Sequence, residues 1–229
     1  MRPPGSPATT MTMTVRAVCF DLDDTLFDYR EYARAGLRSA ADRLEELTGE
    51  RYHDELEALY FQEGVTEGTF DRLLERHGVD RDLVEDLVEA YHDARTPLAP
   101  YPETKPVLST LGDDHRLGLV TDGRGGHAKL RRLGLREYFD AVVVTPRLGL
   151  SKREREPFDR VLSELSVPPE RAAYVGDDPR FDFRVPNELD MTTIRLRRGR
   201  YAALEPETES AIPDHEIDRL DGVTDCLRR

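Results

Sequence analysis

Five short apolar runs, each followed by polar or acidic residues, are distributed along the chain. They are apolar almost throughout and lack the alternation of a strand that has one face in water. Short runs of this kind are typical of strands that are buried on both faces. The runs span residues 15–21, 116–121, 141–145, 172–176 and, more weakly, 192–196.

Apolar residues at helical spacing fill the segments between the later runs, and a glycine closes two of these segments. Strands that alternate with helices predict a parallel sheet with right-handed crossovers, here a doubly wound α/β fold. A short strand and a helix are also expected within residues 217–227. The helical positions are Val107, Leu108 and Leu111 before Gly112, Leu130 and Leu133 before Gly134, and Phe158, Val161, Leu162 and Leu165.

Residues 28–98 interrupt this alternation, because their apolar residues follow helical spacing and form no strand pattern. We expect four helices here, the first of them ended by Gly49. Pro97, Pro100 and Pro102 then mark the return to the α/β pattern. The apolar positions are Ala33, Leu37, Ala40, Leu44 and Leu47; Leu56, Leu59 and Tyr60; Phe70, Leu73 and Leu74; and Leu83, Val84, Leu87, Val88 and Tyr91.

The predicted organisation is therefore a disordered tail at residues 1–14, an α/β domain built from residues 15–27 and 99–229, and a small all-helical domain at residues 28–98. The tail lacks the apolar segment of a secretory signal. No apolar stretch in the sequence is long enough for a membrane span. Two cysteines without disulfide or metal-ligand spacing fit a reducing compartment, so we expect a cytoplasmic protein.

The chain has 46 acidic and 33 basic residues, a net charge of −13. This charge argues against nucleic acid or anionic membrane as the main partner, because such affinities come from basic residues. Only Lys105, Lys129 and Lys152 are lysines, and the other thirty basic residues are arginines. A lysine-poor acidic surface suits a high-salt cytoplasm, where salt screens self-repulsion. A genome that favours arginine codons is the alternative explanation, and the composition leaves both open.

Acidic residues cluster after two of the predicted strands. In an open α/β sheet the carboxyl ends of these strands meet at the edge where ligands bind. Two negative charges about 4 Å apart repel by about 4 kcal/mol at an effective dielectric constant of about 20, so the cluster needs a cation. Hard oxygen ligands favour Mg²⁺, which commonly accompanies a phosphate. The acids are Asp21 and Asp23 after the first strand and Asp177, Asp178 and Asp182 after the fourth.

Two more strands are expected to bring polar residues to the same edge. Thr121, Asp122, Gly123 and Arg124 follow the second strand, and Lys152 lies shortly after the third. The edge would therefore combine carboxylates, a hydroxyl, a glycine-rich loop and positive charges.

This arrangement resembles the haloacid dehalogenase superfamily, specifically its phosphatase branch. The sequence DLDDT at residues 21–25 is similar to the family's first motif, Thr121 to its second, Lys152 to its third, and GDDPRFD at residues 176–182 to its fourth. The helical segment at 28–98 resembles the family's cap domain. Four motifs in the right order, each at or just after a strand end, make the resemblance specific, and it covers nearly the whole chain after the tail.

The resemblance implies a Mg²⁺-dependent phosphomonoester hydrolase that acts on a small phosphorylated metabolite through an aspartyl-phosphate intermediate. Asp21 would be the nucleophile, and Asp23 would be the general acid and base. The other implied roles are Mg²⁺ binding by Asp21, the Asp23 backbone carbonyl and Asp177; phosphate or substrate binding by Thr121, Asp122, Gly123, Arg124 and the catalytic Lys152; and support of Lys152 or of metal-bound waters by Asp178 and Asp182.

Two positions depart from the family's pattern. Asp122 stands where many relatives have Asn, and Arg153 stands where many have Pro. An acid beside a phosphate would repel it unless the side chain points away. Asp24 is interpreted as a turn residue, because it faces away from the side shared by the flanking acids. Tyr29 and Tyr32 are interpreted as packing residues.

Three alternatives remain at this point. A phosphomutase would use the same two acids on a sugar phosphate. A dehalogenase needs no metal and lacks an acid two residues after its nucleophile, so Asp23 argues against it. A non-catalytic binding protein could retain the fold. The substrate is open, and so is the choice between monomer and homodimer.

Overall fold

A computed structural model describes residues 14–228, which contain a single six-stranded parallel sheet with the order β3-β2-β1-β4-β5-β6. The strand order reverses at β1, since β2 and β3 extend to one side and β4 to β6 extend to the other. This topology confirms the predicted doubly wound α/β fold and places a ligand crevice beside β1. The strands are β1 (Ala17–Phe20), β2 (Arg116–Thr121), β3 (Ala141–Val144), β4 (Ala172–Gly176), β5 (Thr192–Leu196) and β6 (His215–Ile217).

Nine α-helices occur among the described residues. None of them is long and apolar enough to cross a membrane. Helix α8 was not predicted, because its sequence RVPNE is too short to show a periodicity. The helices are α1 (Tyr29–Thr48), α2 (His53–Phe61), α3 (Thr69–His77), α4 (Val84–Asp93), α5 (Thr104–Asp114), α6 (Gly126–Leu133), α7 (Glu156–Leu165), α8 (Arg184–Glu188) and α9 (Val223–Leu227).

The sheet is covered on both faces, which explains why its strands are apolar without alternation. In β1, Ala17 and Cys19 belong to one buried cluster, while Val18 and Phe20 belong to another. The first cluster includes residues of α7, and the second includes residues of α5 and α6. Successive residues of a strand point to opposite faces, so each strand contributes to both clusters.

Residues 28–98 are all described, and they contain α1 to α4 and no strand. Helix α1 begins after Asp28, whose Oδ1 accepts a hydrogen bond of 2.8 Å from the Arg30 N–H. It ends at Gly49, whose φ of 78° lies in the left-handed region that glycine adopts without strain. Buried residues of these helices join the same cluster as Val18 and Phe20.

The predicted helical content of residues 28–98 is thus present, and the helices pack directly on the α/β part of the chain. The division into a core and a separate helical domain stays a prediction. The predicted tail at residues 1–14 lies outside the described residues except for Thr14.

Candidate active site

A cavity of about 360 Å³ opens at the carboxyl edge of the sheet. The ends of β1, β2 and β4 form one side of it, and side chains of α1 and α4 form the other. The sequence-predicted residues Asp21, Asp23, Thr121, Asp122, Gly123, Arg124, Lys152, Asp177 and Asp178 line this cavity. Asp182 does not line it and lies directly behind.

Lys152 connects two buried carboxylates. Its Nζ donates to Asp21 Oδ1 at 2.7 Å and to Asp182 Oδ1 at 2.5 Å. Asp21 is 4% exposed, Lys152 5% and Asp182 0%. Breaking one partner of such a buried pair is strongly unfavourable, because it leaves an uncompensated charge away from water. The geometry therefore fixes Lys152 beside Asp21.

Asp182 also holds the loop that follows β4. Its Oδ2 accepts hydrogen bonds from the backbone N–H groups of Asp177 at 3.1 Å and Asp178 at 2.9 Å. The Tyr174 hydroxyl donates to its Oδ1 at 3.3 Å. With Lys152, these partners occupy both carboxylate oxygens. Asp182 thus links the strand-end loop to Lys152.

The two carboxylate oxygens of Asp177 have different surroundings. The Thr25 hydroxyl donates to Asp177 Oδ1 at 3.0 Å, whereas Asp177 Oδ2 is buried and has no hydrogen-bond partner among residues 14–228. Asp21, Asp177 and Asp182 each have a carboxylate oxygen within 4.8 Å of the others. Since an unpaired buried acceptor is costly, this oxygen is a candidate ligand for a cation. The cluster could hold a divalent metal ion.

The pKa shifts of these carboxylates also indicate a site for a divalent metal ion. Burial raises the pKa of Asp21 to about 7; Lys152 opposes the rise, and Asp182 and Asp23 add to it. Burial also raises the pKa of Asp177 well above its usual range, with a further contribution from Asp21. Lys152 pairs with Asp21 and Asp182, and Asp177 belongs to the same cluster, so a divalent cation bound there would favour the ionised form of these carboxylates.

The second acid of the first motif, Asp23, pairs with a lysine that the sequence analysis did not assign to the site. Lys129 Nζ lies 2.7 Å from Asp23 Oδ1 and 2.7 Å from Asp23 Oδ2. The Lys129 side chain is only 3% exposed. A signal was present in the sequence, since Lys129 is one of only three lysines among thirty arginines.

The loop after β2 forms the wall between these two lysines. Thr121 Oγ1 accepts a 3.1 Å hydrogen bond from the Gly123 N–H, so its own O–H proton remains available to a ligand. Asp122 Oδ1 accepts from the Thr145 hydroxyl at 2.5 Å and from the Lys152 N–H at 2.9 Å. Asp122 therefore anchors the loop that carries Lys152. A contact between Asp122 and the phosphate stays a prediction.

The remaining acids near the cavity have their own arginine partners. Arg180 forms a two-pronged pair with Asp178, with Nε 2.9 Å from Oδ1 and Nη2 2.8 Å from Oδ2. Asp24 is fully buried, has a φ of 62° and pairs with Arg200 Nε at 2.5 Å. These pairs support the structure around the cavity. Arg124 is exposed at the cavity's mouth.

The tyrosines of α1 were interpreted as packing residues, and the structure extends that role. Tyr32 is 3% exposed and packs in the core, yet both Tyr29 and Tyr32 also line the cavity. The Tyr32 hydroxyl lies 2.9 Å from His92 Nδ1 of α4. Spacing along α1 predicts which side chains are buried, and it does not reveal that the buried side borders a site.

Comparison with known proteins identifies the class of this chain. The profile of the haloacid dehalogenase-like hydrolases matches residues 15–185, and a second HAD-hydrolase-like profile matches residues 149–223. The chain therefore belongs to the haloacid dehalogenase-like hydrolase family, which confirms the resemblance drawn from the motifs.

Two relatives of similar sequence are phosphatases, and a solved structure of similar fold is a dehalogenase. The chain is 37% identical over 227 residues to a glyceraldehyde 3-phosphate phosphatase of Methanopyrus kandleri, covering 93% of this chain and 97% of that one. It is 29% identical to a ribulose-1,5-bisphosphate 5-phosphatase of Halopiger xanaduensis, covering 92% and 98% respectively. A solved structure, a 2-haloacid dehalogenase of Pseudomonas syringae, matches with a TM-score of 0.70 and 26% identity over 94% of this chain and 99% of that one. The chain is an enzyme of the family's phosphatase branch.

Proposed function

We propose that this enzyme is a Mg²⁺-dependent phosphomonoester hydrolase that acts on a small phosphorylated metabolite through an aspartyl-phosphate intermediate. The buried Asp21 carboxylate carries the proposal, since it is held by Lys152 and stands beside Asp177 at the carboxyl edge of the sheet. A phosphate ester needs a nucleophile and positive charge on its oxygens, and this arrangement offers a carboxylate together with an ammonium and a cluster suited to a cation.

The acidic cluster fits magnesium, because its donors are all hard carboxylate oxygens and Asp177 also has an oxygen, Oδ2, with no hydrogen-bond partner in the part of the chain that the structure describes. Asp21 and Asp177 would hold the ion with their side chains, and Asp23 would hold it with its backbone carbonyl. Asp182 is saturated by its own hydrogen bonds, so its proposed role is to support Lys152. When bound, the ion would neutralise negative charge on the phosphoryl group.

In the first half of the reaction, Asp21 attacks phosphorus and forms a new O–P bond while the ester O–P bond breaks. Asp23 gives its proton to the departing alkoxide, which leaves as the alcohol. Lys152 and the Thr121 hydroxyl hold the phosphoryl oxygens, where negative charge is spread in the transition state.

In the second half, water hydrolyses the aspartyl phosphate. Asp23 now takes a proton from the water as its oxygen attacks phosphorus. The bond between phosphorus and the Asp21 oxygen breaks, which releases inorganic phosphate and restores the Asp21 carboxylate. Asp178, held by Arg180, and Asp122, bonded to the Lys152 N–H, are proposed to keep the surrounding loops in place.

The test is hydrolysis of p-nitrophenyl phosphate with Mg²⁺ or with EDTA. Asp21→Asn should lower turnover by on the order of a thousandfold or more, because it removes the nucleophile. Asp113→Asn, at an exposed position in α5, is the matched control and should retain activity. Turnover that survives EDTA or the Asp21→Asn change would contradict the proposal. Borohydride reduction of the trapped intermediate should convert Asp21, and no other aspartate, to homoserine.

The names of the relatives suggest the substrate class. Both are phosphatases of phosphorylated sugars, and a cavity of about 360 Å³ suits a small ligand. We therefore propose a triose or pentose phosphate ester, with Gly123 and Arg124 facing the substrate. Release of inorganic phosphate from such esters would support hydrolysis, whereas an isomeric sugar phosphate as the product would indicate a phosphomutase.

A further inference from the structure

Lys129 is the second buried lysine at the cavity, and its environment is unlike that of Lys152. Its Nζ lies 2.7 Å from both oxygens of Asp23, which keeps 16% of its side chain exposed. Lysine has three N–H donors and no acceptor, and two of the donors are used on this one carboxylate. A carboxylate has about four acceptor positions, so two remain on Asp23 for a ligand in the cavity.

Aromatic rings surround the same ammonium. Nζ lies 4.3 Å from the ring centre of Tyr32, 5.0 Å from that of Tyr29 and 5.9 Å from that of Phe27. These distances are within the range of cation–π attraction, which strengthens away from water. Phe27 follows the first motif, and the tyrosines belong to α1. Lys129 of α6 is thus held between the sheet edge and the helical segment.

The pair leaves little free space around it. A Cβ atom built on Gly123 would lie 2.9 Å from Asp23 Oδ2 and 3.0 Å from Lys129 Nζ. Any larger residue at position 123 would displace the carboxylate or the ammonium. The backbone of Gly123 thus lies directly against the contact between Asp23 and Lys129.

The pair also separates Asp23 from the acidic cluster. Among residues 14–228, the group of three carboxylates whose oxygens all lie within 4.8 Å of one another is Asp21, Asp177 and Asp182, and Asp23 is not a member of this group. An aspartate side chain free to rotate beside such a cluster could turn towards a cation there. Two hydrogen bonds to Lys129 instead fix its rotation towards α6 and α1.

We propose that Lys129 is a positioning residue that keeps the Asp23 carboxyl group on the leaving-group side of the cavity, away from the metal cluster. The inference rests on the proposed function. In the step concerned, Asp21 forms its O–P bond as the ester O–P bond breaks, and the proton leaves the Asp23 O–H bond to form the O–H bond of the departing alcohol. Without Lys129, Asp23 is present but misdirected, so protonation of the alkoxide slows.

The experiment compares kcat/KM for two esters, since this parameter reports the steps up to loss of the alcohol. Glycerol 3-phosphate releases an alkoxide that needs a proton, whereas p-nitrophenyl phosphate releases a stable phenolate that does not. Lys129→Met should lower kcat/KM for glycerol 3-phosphate by on the order of 10- to 100-fold and that for p-nitrophenyl phosphate by less than about threefold. Lys105→Met, at an exposed lysine, is the control and should change neither value.

A double-variant cycle tests whether Lys129 acts through Asp23. If Lys129 acts through Asp23, adding Lys129→Met to Asp23→Asn should cause no further loss with glycerol 3-phosphate. Equal losses on both esters, or losses that multiply in the double variant, would overturn the inference. Lys129→Gln serves if Lys129→Met lacks the native circular-dichroism spectrum. A wild-type enzyme that hydrolyses neither ester would overturn the proposed function as well. This outcome differs from a failure of the inference alone, in which the wild-type enzyme is active and Lys129→Met shows no selective loss.

Discussion

The cavity has two sides, and on each of them a buried lysine compensates the charge of aspartate side chains in a different way. On the floor, defined as Asp21, Lys152 and Asp177 together with Asp182 directly behind them, every residue comes from a strand end or the loop after it, and Lys152 pairs with two buried carboxylates. On the opposite side, Lys129 pairs with Asp23 and lies among tyrosine rings of α1.

The two sides differ in which part of the chain holds them in place. The floor is tied together by hydrogen bonds within the α/β part of the chain, including two backbone N–H donors to Asp182. The opposite side depends on where α1 places Tyr29 and Tyr32. A change on the floor should therefore affect every substrate, whereas a change at Lys129 should affect only substrates with demanding leaving groups.

The largest expected effect is that of Lys152→Met. We expect kcat/KM to fall by on the order of a thousandfold, because an ammonium beside the phosphoryl oxygens stabilises the transition state directly. The loss should be similar for p-nitrophenyl phosphate and glycerol 3-phosphate, in contrast to the selective loss at Lys129. Steady-state kinetics on both esters would check this. A loss confined to one ester would erase the distinction between the two sides.

A smaller effect is expected on the thermal stability of the metal-free protein, through the buried Asp21 of the floor. Burial raises the Asp21 pKa from its usual value of 3.8 to about 7, so between about pH 4 and 7 the folded protein retains a proton that the unfolded chain releases. Stability should therefore fall as the pH rises through this window. In EDTA we expect the melting temperature to be several degrees lower at about pH 7.5 than at about pH 5.

Two controls apply to this measurement of melting temperature against pH: addition of magnesium, and the variant Asp21→Asn. Magnesium should raise the melting temperature most at the higher pH, where its carboxylate ligands are ionised. Asp21→Asn cannot ionise and should show a weaker dependence on pH in EDTA. A native protein whose melting temperature in EDTA is flat or rises from about pH 5 to 7.5 would show that Asp21 is not a proton-retaining buried acid.

The smallest expected effect is that of salt, which should act on the charged surface of the protein and leave the buried cavity nearly unchanged. Salt screens the repulsion of a chain with a net charge of −13, so the high-salt hypothesis predicts a melting temperature a few degrees higher in molar KCl. The ion pairs of Lys129 and Lys152 are buried, so kcat/KM should change by less than about threefold. A melting temperature unchanged by KCl would favour a codon-usage origin for the arginine-rich composition.

The sequence by itself determined the strands, the helical segment at residues 28–98 and the order of the four motifs. These features are local, because continuous apolar runs, helical spacing and closing residues such as Gly49 act over a few neighbouring positions. The alternation of strands and helices also predicted a parallel sheet with right-handed crossovers, whereas the order of the strands in that sheet was seen only in the structure. Asp21, Asp23 and Asp177 reach one cavity because parallel strands share a carboxyl edge.

Only the tertiary structure decided which partner each charged side chain meets. Asp23 and Lys129 are 106 positions apart, and no spacing rule connects an acid after β1 with a lysine on α6. Likewise, Asp122 bonds to Thr145 and to the Lys152 N–H, a contact that depends on how the loops after β2 and β3 pack. The choice of partner depends on how segments far apart in the chain pack against one another, which a linear pattern does not contain.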